Sequence, residues 1–182
     1  MGGAGAPVGG VPGAAAPGPS LGALPCDRVR GRLPDSQEFA AAWPGALHAG
    51  IVAIAVNDRL SLVDQGYMFE DSAARLFLVE GERADDIAAF AGKYCIFISA
   101  WRRALTAAYP IGSSAAVRSD VPAFWLYSSG TTGRPKGIVH THGDVLTAGS
   151  GMREVLNLGP GDIVSGTSKM FFAYGLEHAL LG

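Results

Sequence analysis

The chain has only two cysteines among its 182 residues, Cys26 and Cys95. They lack both metal-site spacing and a disulfide framework, so they read as reduced thiols of a cytoplasmic protein. The four histidines make no metal set. His140 and His142 stand two apart, which in a strand would put both on one face, and they are read without a metal. No apolar run reaches the roughly 18 residues that a membrane span needs. A basic excess is lacking too: the formal net charge of −2 gives no reason to expect nucleic acid or an anionic membrane as a partner. Residues 1–24 lack charge, aromatics and periodicity and are almost wholly Gly, Ala and Pro. Such a segment buries too little surface to offset its ordering entropy and reads as a disordered tail. With no basic start and with prolines breaking any apolar core, it is not a secretory signal. A misassigned start or a shifted reading frame would give the same composition.

What remains has the hydrophobic content of a globular chain, 48%, and the length for one core of ordinary size. Asp27–Leu33 is a poor strand by itself, broken by charge and Gly31. Pro34–Glu38 starts a helix, with Asp35 or Ser36 as cap, and the helix continues to His48. Pro44 falls inside it, and an interior proline costs roughly 3 kcal/mol, so a kink or break is expected. Ile51–Val56 is a continuous apolar run, as in a strand covered on both faces. The pattern repeats: a helix over Ser61–Ala74, a strand over Arg75–Val79, a helix over Asp85–Ala91 and a strand over Tyr94–Ser99. Alternation of this kind predicts an α/β fold with a mostly parallel sheet and flanking helices. Trp101–Ala108 reads as an amphipathic helix and Pro110–Ser119 as a linker. His142–Leu158 reads as a helix capped by Thr141 or Asp144, Asp162–Gly166 as a short strand, and Met170–Leu181 as a further helix.

The stretch that decides the chemistry is Tyr127–Gly137, Tyr-Ser-Ser-Gly-Thr-Thr-Gly-Arg-Pro-Lys-Gly. It lies between the apolar runs Ala123–Leu126 and Ile138–Val139, so it is a loop joining two strands. The hydroxyls of Ser128, Ser129, Thr131 and Thr132, with free backbone N–H groups, surround an anion. Gly130 and Gly133 permit positive φ and close backbone approach, and successive N–H groups in such a turn form a nest of positive potential. Lys136 adds a point charge suited to phosphate, stiffened by Pro135. The common nucleotide P-loop is excluded, because Lys136 is followed by Gly137 rather than Ser or Thr, and only two residues separate Gly130 from Gly133.

The ordered string resembles the phosphate-binding signature of the adenylate-forming superfamily: acyl-CoA synthetases, peptide-synthetase adenylation domains and luciferases. Its flanks, Phe124 to His142, and the later Lys169-Met-Phe-Phe-Ala-Tyr-Gly-Leu176 look like the benzoate–CoA ligase branch. The resemblance covers about residues 25–182 and implies a truncated N-terminal AMP-binding domain. It implies an ATP-dependent, AMP-forming acid–thiol ligase. Such an enzyme turns a small aromatic carboxylic acid into an acyl-adenylate and then a coenzyme A thioester. Carried over residue by residue, Ser128, Ser129, Gly130, Thr131, Thr132, Gly133 and Lys136 would hold ATP phosphates, with Mg²⁺ bridging phosphate oxygens. Phe172, Ala173, Tyr174 and Gly175 would wall the acyl pocket, an aromatic beside a small residue making a slot for an aryl ring. Packing of a helix start in the core would explain the same four residues. The family's adenine, ribose and coenzyme A motifs and its C-terminal lysine domain are not found, so the chain alone is expected to make no acyl-CoA.

Two other readings stay open. The chain would act as a non-catalytic nucleotide-binding module, or as one that docks a chain carrying the missing portion on its uncovered sheet edges and apolar surface. A kinase or phosphohydrolase would need a carboxylate pair for Mg²⁺, and only Asp85–Asp86 offers one.

Overall fold

The computed structural model describes residues 27–80, 84–91, 95–97, 115–128, 133–159, 161–177 and 180. The Gly/Ala/Pro tail and the Trp101–Ala108 helix lie outside the described residues.

Six strands form one sheet: β1 (Arg28–Arg32), β2 (Val52–Ala55), β3 (Leu76–Val79), β4 (Cys95–Phe97), β5 (Pro122–Ser128) and β6 (Lys136–Thr141). Their spatial order is β4-β3-β1-β2-β5-β6. β1 to β5 pair in parallel, and β6 closes the edge antiparallel to β5. The helices are α1 (Gln37–His48), α2 (Leu62–Asp71), α3 (Ala84–Ala91), α4 (His142–Leu156) and the single turn α5 (Ala173–Leu176).

Alternation along each strand sends successive side chains to opposite faces. Ala53 and Ala55 of β2, Leu78 of β3 and Phe124 and Leu126 of β5 meet Phe39 and Trp43 of α1, together with Phe171 and Leu176. On the other face, Ile54 and Val56 pack with Met68, Tyr67, Trp125 and Tyr127, while Phe77 and Val79 pack with Ile87, Ala91 and Phe69. The sheet is therefore a middle layer with α1 on one side and α2 and α3 on the other. This arrangement explains why Ile51–Val56 is apolar without interruption and buried throughout.

Several local expectations change. The poor strand at Asp27–Leu33 is β1, near the centre of the sheet. Two of its arginines, Arg28 and Arg32, are met by distant carbonyls. Arg28 Nε donates to the Ser72 carbonyl and Arg28 Nη2 to that of Ala73 at 3.4 Å, where the C-terminal end of α2 presents unfilled acceptors. Arg32, buried, donates to the carbonyls of Glu80 at 3.1 Å and Asp58 at 2.9 Å. Pro44 does not end α1, which runs through it to His48. Burial of Phe39 and Trp43, worth about 1.5–3 kcal/mol each, offsets the proline's cost of roughly 3 kcal/mol. Asp162–Gly166 is not a strand: among the described residues no strand pairs with it, and Ile163 is 96% exposed. The predicted helix over Met170–Leu181 starts later than expected: Met170–Phe172 lie outside it, Ala173–Leu176 is α-helical, and Glu177 and Leu180 continue it in wider, π-type form.

At α4 the alternatives Thr141 and Asp144 prove to be two halves of one device. Thr141 Oγ1 accepts from the Asp144 N–H at 3.3 Å, and the Asp144 carboxylate accepts from the Thr141 N–H at 2.7 Å. This reciprocal capping box satisfies two otherwise orphaned donors. Those bonds, the Thr141 backbone N–H first, hold the Asp144 carboxyl below the usual carboxylate value. Thr141→Ala is expected to cost about 1 kcal/mol, read as a fall of about 2–4 °C in Tm by circular dichroism.

Candidate phosphate loop and acyl-pocket segment

The β5–β6 hairpin builds the candidate site. Ser128, the last residue of β5, stands directly opposite Lys136, the first of β6. The connection between them therefore starts and ends at one point on the sheet edge, with a hydroxyl on one stem and an ammonium on the other. Ser129, Gly130, Thr131 and Thr132 lie outside the described residues. Gly133 has φ +105°, a conformation that side-chain-bearing residues rarely adopt. Lys136 and Gly133 are both exposed, so the ammonium and this stretch of backbone are open to a ligand.

Sequence reasoning passes over what supports the hairpin. Gly137 lies opposite Tyr127 and under Trp125; a Cβ there would sit 3.1 Å from Trp125 Cε3 and 3.4 Å from Tyr127 Cζ. The signal is in the string, where Gly137 follows Lys136, but its partner ring is known only from the register. Tyr127 Oη donates to Asp71 Oδ2 at 2.7 Å and approaches the Met68 carbonyl at 3.3 Å. The Arg134 guanidinium lies over the Tyr67 ring, 5.0 Å from its centroid. Both flanks of the loop thus rest on the last turns of α2.

His140 and His142 do not share a strand face. His140 lies in β6 with its ring stacked on Phe124 at 4.6 Å, and His142 is the first residue of α4. His142 Nε2 is shut from solvent and has no hydrogen-bond partner among the described residues. Burial pushes the imidazole below the ordinary histidine value. Above about pH 6.5 both states hold a neutral ring; below it the unfolded chain takes up a proton that the folded chain resists. Stability is therefore expected to fall as the pH drops through 6.5 toward the lower folded-state value, and then to level off. Urea midpoints at pH 7.5 and 5.5 should separate more in the wild type than in His142→Asn.

The second segment, Ser168–Leu176, is tied down at three points. Phe171 and Leu176 are buried with α1 and β5. Asp35, a candidate cap of α1, instead accepts from the Met170 N–H at 3.0 Å and pairs with Lys169 Nζ at 3.4 Å, while Ser36 caps the helix. Lys169 is about half exposed and carries this ion pair. Gly175 is buried against backbone: a Cβ would lie 2.2 Å from the Lys169 carbonyl oxygen and 2.7 Å from that of Ser168. So anchored, the segment leaves Phe172 and Tyr174 half or more exposed, with Ala173 between them also exposed. Core packing accounts for Phe171, Gly175 and Leu176; the Phe172 ring meets that of Phe171 at 4.6 Å yet keeps half of its surface exposed, as Tyr174 does with more.

Further apolar side chains lie open nearby in the chain: Ile138 and Val139 of β6, Leu146, Val155 and Leu156 of α4, then Ile163 and Val164. Among the described residues no group of three or more His, Cys, Asp or Glu is placed to hold a metal ion. None of their helices is long and apolar enough to cross a membrane.

The family model described as AMP-binding enzyme matches residues 19–182, and the chain belongs to that family. It is 40% identical over 169 residues to the 3-hydroxybenzoate–CoA ligase of Aromatoleum sp. (strain CIB), covering 86% of this chain and 32% of that protein. It is 39% identical over 173 residues to the benzoate–CoA ligase of Thauera aromatica, covering 89% and 33%. Among solved structures, a benzoate CoA ligase from Burkholderia xenovorans LB400 superposes with a TM-score of 0.81 at 31% identity, over 91% of this chain and 35% of that one. The N-terminal domain of FACL13 from Mycobacterium tuberculosis gives 0.83 at 28% identity, over 90% and 43%. These relatives place the chain in the benzoate–CoA ligase branch of the adenylate-forming superfamily, within the N-terminal domain. The chain spans about a third of the length of the curated relatives it matches.

Proposed function

We propose that residues 25–182 form the phosphate-loop and acyl-pocket portion of a cytoplasmic, ATP-dependent, AMP-forming acid–CoA ligase for aromatic carboxylates of the benzoate type. The observation that carries the reading is the pairing of Ser128 with Lys136 at the mouth of the hairpin, with Gly133 at positive φ between them. A hydroxyl, an ammonium and backbone in a glycine-only conformation suit the oxygens of a polyphosphate. Ser129, Gly130, Thr131 and Thr132 complete that set. ATP, when bound, supplies the phosphorus that the carboxylate attacks to give an acyl-adenylate. The work of this chain's residues is to hold and orient the departing pyrophosphate and to meet its charge as it develops. Mg²⁺ would enter with the nucleotide and would supply further charge neutralisation to the phosphates held by Ser128 and Lys136. Phe172, Ala173, Tyr174 and Gly175 receive the aryl ring: two exposed aromatics on a turn that Gly175 holds against backbone. Coenzyme A is bound mainly by surfaces outside this chain. The apolar side chains open on β6, on α4 and at Ile163 and Val164 take the remaining portion of the ligase, in the same polypeptide or in a separate one.

A graft tests the reading. Residues 27–182 replacing the matching segment of the Thauera aromatica enzyme should give a chimera that forms benzoyl-CoA from benzoate, ATP and coenzyme A, while the isolated chain forms none. A folded chimera that binds ATP yet makes no aryl-CoA would sink the assignment. Benzoyl-CoA from the isolated chain would sink the view that it is only part of the machinery.

A further inference from the structure

We infer that the C-terminal half of α2 is a positioning element for the phosphate loop, acting through Tyr67 and Asp71 on Tyr127 and Arg134. The inference rests on the phosphate-loop reading above and adds residues that lie far from the signature in sequence.

Tyr127 immediately precedes Ser128 on the β5 stem; Arg134 lies two residues before Lys136 on the β6 stem. The two stems meet the same few residues of α2. Asp71 accepts from Tyr127 at 2.7 Å through Oδ2 and from Tyr67, four residues earlier on the helix, at 3.4 Å through Oδ1. The Tyr67 ring in turn carries the Arg134 guanidinium on its face at 5.0 Å. The links form a chain from one stem to the other: Tyr127, Asp71, Tyr67, Arg134.

α2 is itself seated on the sheet by Met68, buried with Ile54 and Val56. The clamp therefore refers both stems to the rigid middle layer rather than to each other alone. It fixes Gly133 and Lys136 relative to Ser128 before any anion arrives, so that the freedom of the stems is lost on folding and not on binding. The arrangement also manages a charge problem. A carboxylate near an anion site repels the ligand, and two tyrosine hydroxyls donating to Asp71 spread its charge while Arg134 offsets it on the loop side.

The test is amide hydrogen exchange on this chain, read by NMR at Gly133, Arg134, Lys136 and Gly137, with the β2 amides Val52–Ala55 as reference. Arg134→Gln alters an exposed side chain and leaves the core untouched. It and Tyr67→Leu should each speed exchange at the loop amides by about fivefold or more, with β2 unchanged. Tyr67→Phe, which keeps the ring face, should hold Arg134 and stay close to wild type there. Unchanged loop exchange in both Arg134→Gln and Tyr67→Leu would overturn the clamp, as would acceleration shared equally by β2. Titration with inorganic tripolyphosphate separates this claim from the one beneath it. Both variants should weaken tripolyphosphate by a factor similar to the gain in exchange; faster exchange with undiminished affinity would overturn the positioning role. A wild-type chain that binds no tripolyphosphate would remove the phosphate reading, and with it the positioning role, while the exchange pattern decides the clamp as a structural anchor.

Discussion

Replacing Gly175 with alanine lowers the melting temperature of the chain by about 6–12 °C, corresponding to about 3 kcal/mol for a protein of this size. The added Cβ would sit 2.2 Å from the Lys169 carbonyl oxygen, 2.6 Å from its carbon and 2.7 Å from the Ser168 carbonyl oxygen. All three are backbone atoms, so no flexible side chain swings aside. Nor does the segment move away at little cost, because Phe171 and Leu176 lie buried on either side of Gly175. Gly151→Ala is the matched control. That glycine lies within α4, and a Cβ added there would meet nothing within 4 Å, so alanine should stabilise by about 0.5–1 kcal/mol. Calorimetric melts of both variants decide the point. A Gly175→Ala protein that melts with the wild type would mean that the Ser168–Leu176 turn is not held as described, and the exposure of Phe172 and Tyr174 would lose its explanation.

Lys136→Ala weakens the binding of ATP or tripolyphosphate by about 10- to 100-fold, the loss of one charge-assisted contact worth about 1.5–3 kcal/mol. The fold is not expected to respond. Lys136 is exposed at the start of an edge strand, and its backbone pairing with Ser128 survives the change. Ser128→Ala should act in the same direction by a smaller factor, about 1 kcal/mol for a neutral hydroxyl. Isothermal titration of the three proteins, alongside their melts, reads the two effects separately. Equal affinities would remove Lys136 from the site.

Much of this arrangement is legible in the sequence, where the cause is local. The Ala123–Leu126 run is a buried strand because both of its faces are covered by helices. Thr141 caps α4 because a hydroxyl three residues ahead of a carboxylate closes on itself within one turn. The hairpin is readable because two apolar runs flank a glycine-rich stretch, and Ser128 and Lys136 stand opposite each other where the two strands meet it. What is not legible depends on residues far apart. Arg28 and Arg32 make β1 look poor, and only the carbonyls of residues 58, 72, 73 and 80 make it tolerable. Asp35 reads as a cap, whereas a contact spanning 135 positions ties it to Met170. Ile163 and Val164 look like a strand from their composition, but a strand exists only beside a partner, and among the described residues none lies there. The last helix starts at Ala173 rather than at Met170, whose N–H is bonded to Asp35.

Everything proposed for this chain depends on the β5–β6 hairpin being a phosphate site. Calorimetric titration of ATP with Mg²⁺ into the wild-type chain, at low and at physiological salt, tests it most directly. Saturable one-to-one binding is expected, weakened by salt as a site built on an exposed lysine must be, and displaced by inorganic tripolyphosphate. Absence of saturable binding at both salt concentrations, in a chain shown by its melt to be folded, would contradict it.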